Sequence, residues 1–222
     1  MKVVSLGGSL LFGDNNEFDV SFLKNIAALF AKHKDIAIVV GGGKIARSYV
    51  SLAREFKVNE FNCDSIAIKA THVNAALVAA IIPNAIYCNN LDEATAAVDN
   101  RKIPVLGGQL PGVTTDAISV LLAEKLDAKT LLNLSNVSYV YSADPNVDKS
   151  AKKIEKMSHP ALTKLASEND TRMARTNFPF DLVACKLAQR SNIELRFVDG
   201  KNVKEVENAL NDKPFSGTIV KN

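Results

Sequence analysis

Apolar residues in this chain fall into two patterns that take turns. Ile36–Val40 and Ile103–Leu106 are unbroken apolar runs, as expected for strands covered on both faces of a parallel sheet. Lys2–Leu6, 86–88, 130–134 and 193–198 predict four more strands, and Gly217–Val220 a terminal edge strand. Between them the spacing becomes helical. Phe22, Leu23, Ile26, Ala27 and Phe30 share one face of a helix over 20–31, and Ala117, Val120, Leu121 and Ala123 share one face of another. Helices are also predicted from Lys44 onward and over 61–81, 91–98, 162–166, 181–189 and Val203–Leu210. This alternation predicts an α/β fold: a three-layer α/β/α sandwich with a mostly parallel open sheet, with residues 1–222 as a single domain.

Three strands run directly into glycine-rich or polar loops: Gly7-Gly8-Ser9, Gly41-Gly42-Gly43, and 107–116. In a parallel sheet all three gather at the carboxyl edge, where free backbone N–H groups and helix dipoles receive anions. Thr115 or Asp116 is the expected N-cap of the helix after the third loop. A carboxylate at that point is electrostatically favoured and can organise cations around a phosphate. Lys44 and Arg47 lie in the first turn of the helix after Gly43. Cations there oppose the dipole unless an anion binds between them, the plain alternative being that both face solvent. Each loop alone reads equally as an ordinary turn. Their convergence, with an Arg and an Asp, points to phosphoryl transfer between two phosphorylated ligands. Neither Gly-x-x-x-x-Gly-Lys-Ser/Thr nor Gly-x-Gly-x-x-Gly occurs.

Composition narrows the partners. The net charge is only +3 and no long basic run appears, so nucleic acid is not an expected partner. Cys63, Cys88 and Cys185 show no paired spacing and read as reduced, buried thiols with no metal site. No leader pattern and no apolar run of membrane-spanning length is evident, so a cytoplasmic protein without a membrane partner is expected. Asp64 is a candidate N-cap for the 61–81 helix, and His72, a lone histidine on that helix, is assigned no chemistry. After the fifth strand, Tyr141 could cover a planar base and Asp144, before Pro145, could contact a nucleotide's polar groups; the same stretch also reads as a hairpin-like excursion with a packed tyrosine. The basic segment 149–156 reads as solvated surface.

Gly7-Gly8-Ser9, Gly41-Gly42-Gly43-Lys44-Ile45-Ala46-Arg47, Gly107-Gly108 with Pro111-Gly112-Val113-Thr114-Thr115-Asp116-Ala117, and Asn136-Val137 leading to Tyr141-Ser142-Ala143-Asp144-Pro145 together resemble the amino acid kinase superfamily. Within it the chain is similar to the archaeal-type UMP kinases, over nearly its whole length. The resemblance implies Mg²⁺-dependent transfer of the ATP γ-phosphate to UMP, giving UDP for pyrimidine nucleotide synthesis. It also implies a homo-oligomer, commonly a hexamer built from dimers. It assigns Gly8 and Ser9 to the ATP phosphates, and Gly43 and Arg47 to the centre of phosphate transfer. Ser135, Asn136, Tyr141 and Asp144 would line the ATP nucleoside pocket. Gly42 would hold the UMP phosphate and Asp64 the UMP ribose. Gln109, Leu110, Pro111, Gly112, Val113, Thr114 and Thr115 would wrap UMP, and Asp116 would organise the cations.

The chain also departs from the superfamily pattern. Ser5 stands where much of the superfamily has a strand-one lysine that reaches the transferring phosphate, with Lys44 the nearest basic substitute by sequence. Tyr139 replaces a glycine, and Arg175 lies in a later loop where a glycine is usual. Three functions remain open on these residues: a UMP kinase, a kinase of the same fold with another small acceptor, and a nucleotide-binding relative without turnover.

Overall fold

A computed structural model describes residues 1–13, 17–143, 148–169 and 180–222. The central sheet has eight strands. On one side lie β1 (Lys2–Leu6), β2 (Ile36–Val40), β3 (Ala85–Tyr87) and β4 (Ile103–Leu106). On the other lie β5 (Thr130–Ser135), β8 (Lys156–Met157), β9 (Glu194–Asp199) and β10 (Gly217–Val220). Their order is β3-β4-β2-β1-β5-β9-β10-β8. Every neighbouring pair is parallel except β9 with β10. The mostly parallel sheet is therefore as expected, but β10 is not an edge, because the two-residue β8 pairs along its outer side. That strand begins at the last residue of the 149–156 segment read as solvated surface, which also carries β7 (Lys153–Ile154). Two-residue strands are too short to leave an alternating pattern. β7 pairs with β6 (Val140–Tyr141) in a separate antiparallel ribbon, so the hairpin-like excursion is present.

Side chains of β1 and β2 alternate between two cores. Val4, Leu6, Ile36, Ile38 and Val40 face α1 (Val20–Phe30), α3 (Glu60–Ile81) and α8 (Val203–Leu210). Val3, Ala37 and Val39 face α4 (Leu91–Asp99), α5 (Thr115–Lys125), α6 (His159–Asn169) and α7 (Leu182–Ser191). This period-two division gives the helix, sheet and helix layers. The remaining helix, α2 (Gly43–Glu55), packs mainly on α3. The three cysteines are buried free thiols.

Helix starts were only partly legible. Asp19 caps α1, accepting from the Phe22 N–H at 2.9 Å. The cap of α3 is Asn59, which accepts from Asn62 N–H at 2.9 Å, so Asp64 lies inside the helix rather than at its start. The cap of α5 is Thr114, one residue before Thr115 and two before Asp116, the expected candidates, and its Oγ1 accepts from the Ala117 N–H at 3.1 Å. Where several capping residue types cluster, the sequence alone leaves the first turn ambiguous by a residue or more.

Candidate active site

The sheet order reverses at β1. The chain fills the sheet to one side of β1 with β2, β4 and β3, and to the other with β5, β9, β10 and β8. The crevice at the carboxyl ends of β1 and β5 is thus a topological switch point, where open α/β sheets hold ligands. Ser5 and Asn133 are register partners across these two strands. The Ser5 hydroxyl donates to Asp116 Oδ1 at 2.8 Å, and the Asn133 amide nitrogen donates to the same oxygen at 2.9 Å. Asp116 sits in the first turn of α5. Burial outweighs these two neutral hydrogen bonds and, with the nearby Asp181 charge, pushes its carboxyl up to about 7. Ser5 thus fills the place of the absent lysine with a neutral donor. Asn133 Oδ1 is buried with no partner among the described residues, and none hydrogen-bonds Asp116 Oδ2.

The first two glycine loops are pressed together beside this point. A Cβ on Gly8 would lie 2.2 Å from the Gly41 carbonyl oxygen, and one on Gly43 would lie 2.3 Å from the Gly8 carbonyl oxygen. Gly43 also has φ +61°, which favours glycine. The two backbones therefore approach as closely as glycine permits. Ser9 is half-buried within the short 3-10 helix Gly8–Leu11. Lys44 Nζ donates to the Gly13 carbonyl at 3.0 Å, tying this first loop to α2. Arg47 is exposed and shares an outward groove with Lys44, Phe12 and Leu52. The expected pairing of Lys44 and Arg47 around one anion is therefore not preformed.

The third loop, 107–114, is held from below by α3. Thr71 Oγ1 accepts the Gly108 N–H at 2.7 Å, and His72 Nε2 pairs with the Gly108 carbonyl at 2.8 Å. His72 Nδ1 meets the Tyr87 hydroxyl at 2.7 Å. Asn74, which is buried, donates to the carbonyls of Gly41 at 2.9 Å and Gly42 at 3.2 Å. Thr71, His72 and Asn74 thus support the second and third loops together, a role the sequence reading missed. The available signal was a run of polar residues inside an apolar helix. Asp64 Oδ2 accepts the Gly112 N–H at 2.8 Å and fastens the loop tip to the same helix. Gln109 donates to the Gly107 carbonyl at 3.1 Å, while Leu110 and Gly112 are exposed and Pro111, Val113 and Thr115 are half-buried.

Beyond β5, Ser135 Oγ accepts the Val137 N–H at 3.1 Å, Asn136 is exposed, and Tyr141 is half-buried on the ribbon. Asp144 and Arg175 lie outside the described residues. Tyr139 has no left-handed backbone, and the Lys153 ammonium lies 5.0 Å from its ring centroid, so tyrosine replaces glycine here without strain.

Residues 1–199 match the amino acid kinase family. A protein named uridylate kinase from Archaeoglobus fulgidus is 41% identical over 90% of this chain and 91% of its own length. One of the same name from Methanospirillum hungatei is 36% identical over 98% and 93%. A crystal structure of uridylate kinase from Archaeoglobus fulgidus superposes with a TM-score of 0.85 at 35% identity, covering 99% of both chains. A UMP kinase structure from Bacillus anthracis shares the fold at 22% identity, with a TM-score of 0.81. With its three-layer architecture, its glycine loops at the switch point and this full-length similarity, the chain belongs to the amino acid kinase family.

Proposed function

We propose that the protein is a UMP kinase, transferring the γ-phosphoryl group of ATP to the UMP phosphate to give UDP and ADP. The observation that carries this reading is the Asp116 carboxyl held by Ser5 and Asn133 at the head of β1 and β5, together with the close approach of the first two glycine loops. Phosphoryl transfer needs little covalent help from a protein. It needs two anionic ligands held in line and their charge balanced. Backbone N–H groups of Gly8, Ser9 and Gly43 suit the ATP phosphates, and Gly42 the UMP phosphate. Arg47, and Lys44 if released from Gly13, supply mobile positive charge from the rim. Asp64 and the 109–115 loop form the UMP side. The family resemblance assigns Ser135, Asn136, Tyr141 and Asp144 to the ATP nucleoside. The names of the aligned relatives support UMP as the acceptor.

The donor set also fits a divalent cation. Asp116 Oδ2 and Asn133 Oδ1 are hard oxygen atoms without protein donors among the described residues. No group of three or more His, Cys, Asp or Glu side chains there could hold a metal ion by itself. These two oxygens would therefore hold Mg²⁺ together with the ATP phosphates. Bound there, the ion would neutralise charge on the transferring group.

The same reading includes a homo-oligomer, a hexamer by family resemblance. Leu52, Phe56 and Phe61 are 58%, 76% and 66% exposed on α2 and α3, an apolar face suited to burial against a second copy. It also includes work in the cytoplasm. No helix of the described residues is long and apolar enough to cross a membrane.

The test is ADP release from Mg·ATP against UMP, CMP, dUMP, GMP, AMP and small carboxylates. The expected result is a kcat/KM for UMP at least about tenfold above every other acceptor. Preference for a carboxylate or a purine nucleotide would overturn the reading.

A further inference from the structure

We propose that Asp181 is a positioning residue of the acceptor site, its carboxylate tying the start of α7 to the Thr114 hydroxyl and so fixing the turn from Thr114 to Asp116. The inference rests on the function proposed above and names a residue outside the set that carries it.

The two carboxylate oxygens have different work. Oδ1 accepts the N–H groups of Val183 at 2.9 Å and Ala184 at 3.0 Å, an ordinary helix cap. Oδ2 accepts the hydroxyl proton of Thr114, 67 residues earlier in the chain. Thr114 Oγ1 in turn accepts the Ala117 N–H and caps α5. One hydroxyl thus joins the starts of two helices, with its proton given to Asp181 and a lone pair given to Ala117. That fixes which way the Thr114 side chain points and leaves its proton unavailable to a ligand. Within the acceptor loop, the neighbouring Thr115 hydroxyl and the backbone remain for that task.

The link does not arise from deep packing. Thr114 is exposed and Asp181 half-buried, so the geometry depends on the hydrogen bond. Behind it, α5 and α7 pack in the same core, where Ala117, Ala184 and Ala188 are buried. Asp181 is also close enough for its charge to raise the Asp116 carboxyl, so the same residue borders both the acceptor turn and the transfer centre.

Asparagine at position 181 separates a cap from a positioning link. It keeps an oxygen for the α7 cap, where Asn serves as well as Asp, but puts an NH2 group where Oδ2 accepted from Thr114. The experiment is steady-state kinetics and thermal unfolding on the full chain for the wild type, Asp181→Asn, Thr114→Val and the double variant. The expected result is a rise of about tenfold in KM for UMP in each single variant, with KM for ATP unchanged within about twofold. The double variant should be no worse than the poorer single one, because both remove the same link. Thr114→Ser restores the hydroxyl and should recover the KM lost in Thr114→Val. An unchanged KM for UMP in Asp181→Asn, or losses that add in the double variant, would overturn the inference while leaving the kinase reading intact. A wild type that binds ATP but turns over no UMP would overturn the kinase reading and the inference with it.

Discussion

Asp116 is held by two neutral donors from adjacent strands and by no cation among the described residues. A lysine in place of Ser5 would pull the carboxyl down, whereas a serine leaves burial in control and lifts it to about 7. The folded chain then keeps this proton up to about pH 7, and the unfolded chain only to about pH 4. Between those values the folded state binds more protons, so Asp116's contribution to stability falls as pH rises. Asp116→Asn should flatten that decline and raise the unfolding midpoint at pH 8 by roughly 3–6 °C, equivalent to about 1–2 kcal/mol for a chain of this size. Matched melting curves at pH 4.5 and pH 8 check this; an identical pH profile in the two proteins would contradict it. Ser5 and Asp116 could both be singled out from the sequence. Their contact could not, because it joins residues 111 apart through the packing of α5 on β1.

At the scale of elements, α3 is the scaffold of the acceptor side. Its position beneath two loops turns Thr71, His72 and Asn74 into hydrogen-bond partners for backbone that would otherwise lack support. Asn74→Ala should leave the Gly41 and Gly42 carbonyls short of a buried donor, at a cost of about 1–3 kcal/mol in stability. It should also lower kcat/KM several-fold, since the same loop carries Gly42 and Gly43, which the proposed function assigns to the two phosphates. A variant as stable and active as the wild type would show that the loops hold themselves. The strands and long helices were legible because their apolar periodicity is set by burial, which extends over many residues. The caps at Asn59 and Thr114, the two-residue strands and the support by α3 were not. Each depends on one or two hydrogen bonds to distant or locally ambiguous residues.

At the scale of the whole molecule, the site exists because the sheet changes direction at β1. Three loops separated by up to a hundred residues of chain reach one crevice, and the sequence disclosed this through its glycines and its alternation of strand and helix. As a kinase, the protein moves a phosphoryl group in this crevice although the strand-one position is Ser5. A single-turnover experiment with γ-³²P-labelled ATP, Mg²⁺, UMP and enzyme in excess over nucleotide tests it most directly. Label should appear in UDP as ADP forms in equal amount, with transfer at least about a hundredfold slower in Asp116→Ala. Label remaining in ATP, or released only as inorganic phosphate while both nucleotides bind, would contradict it.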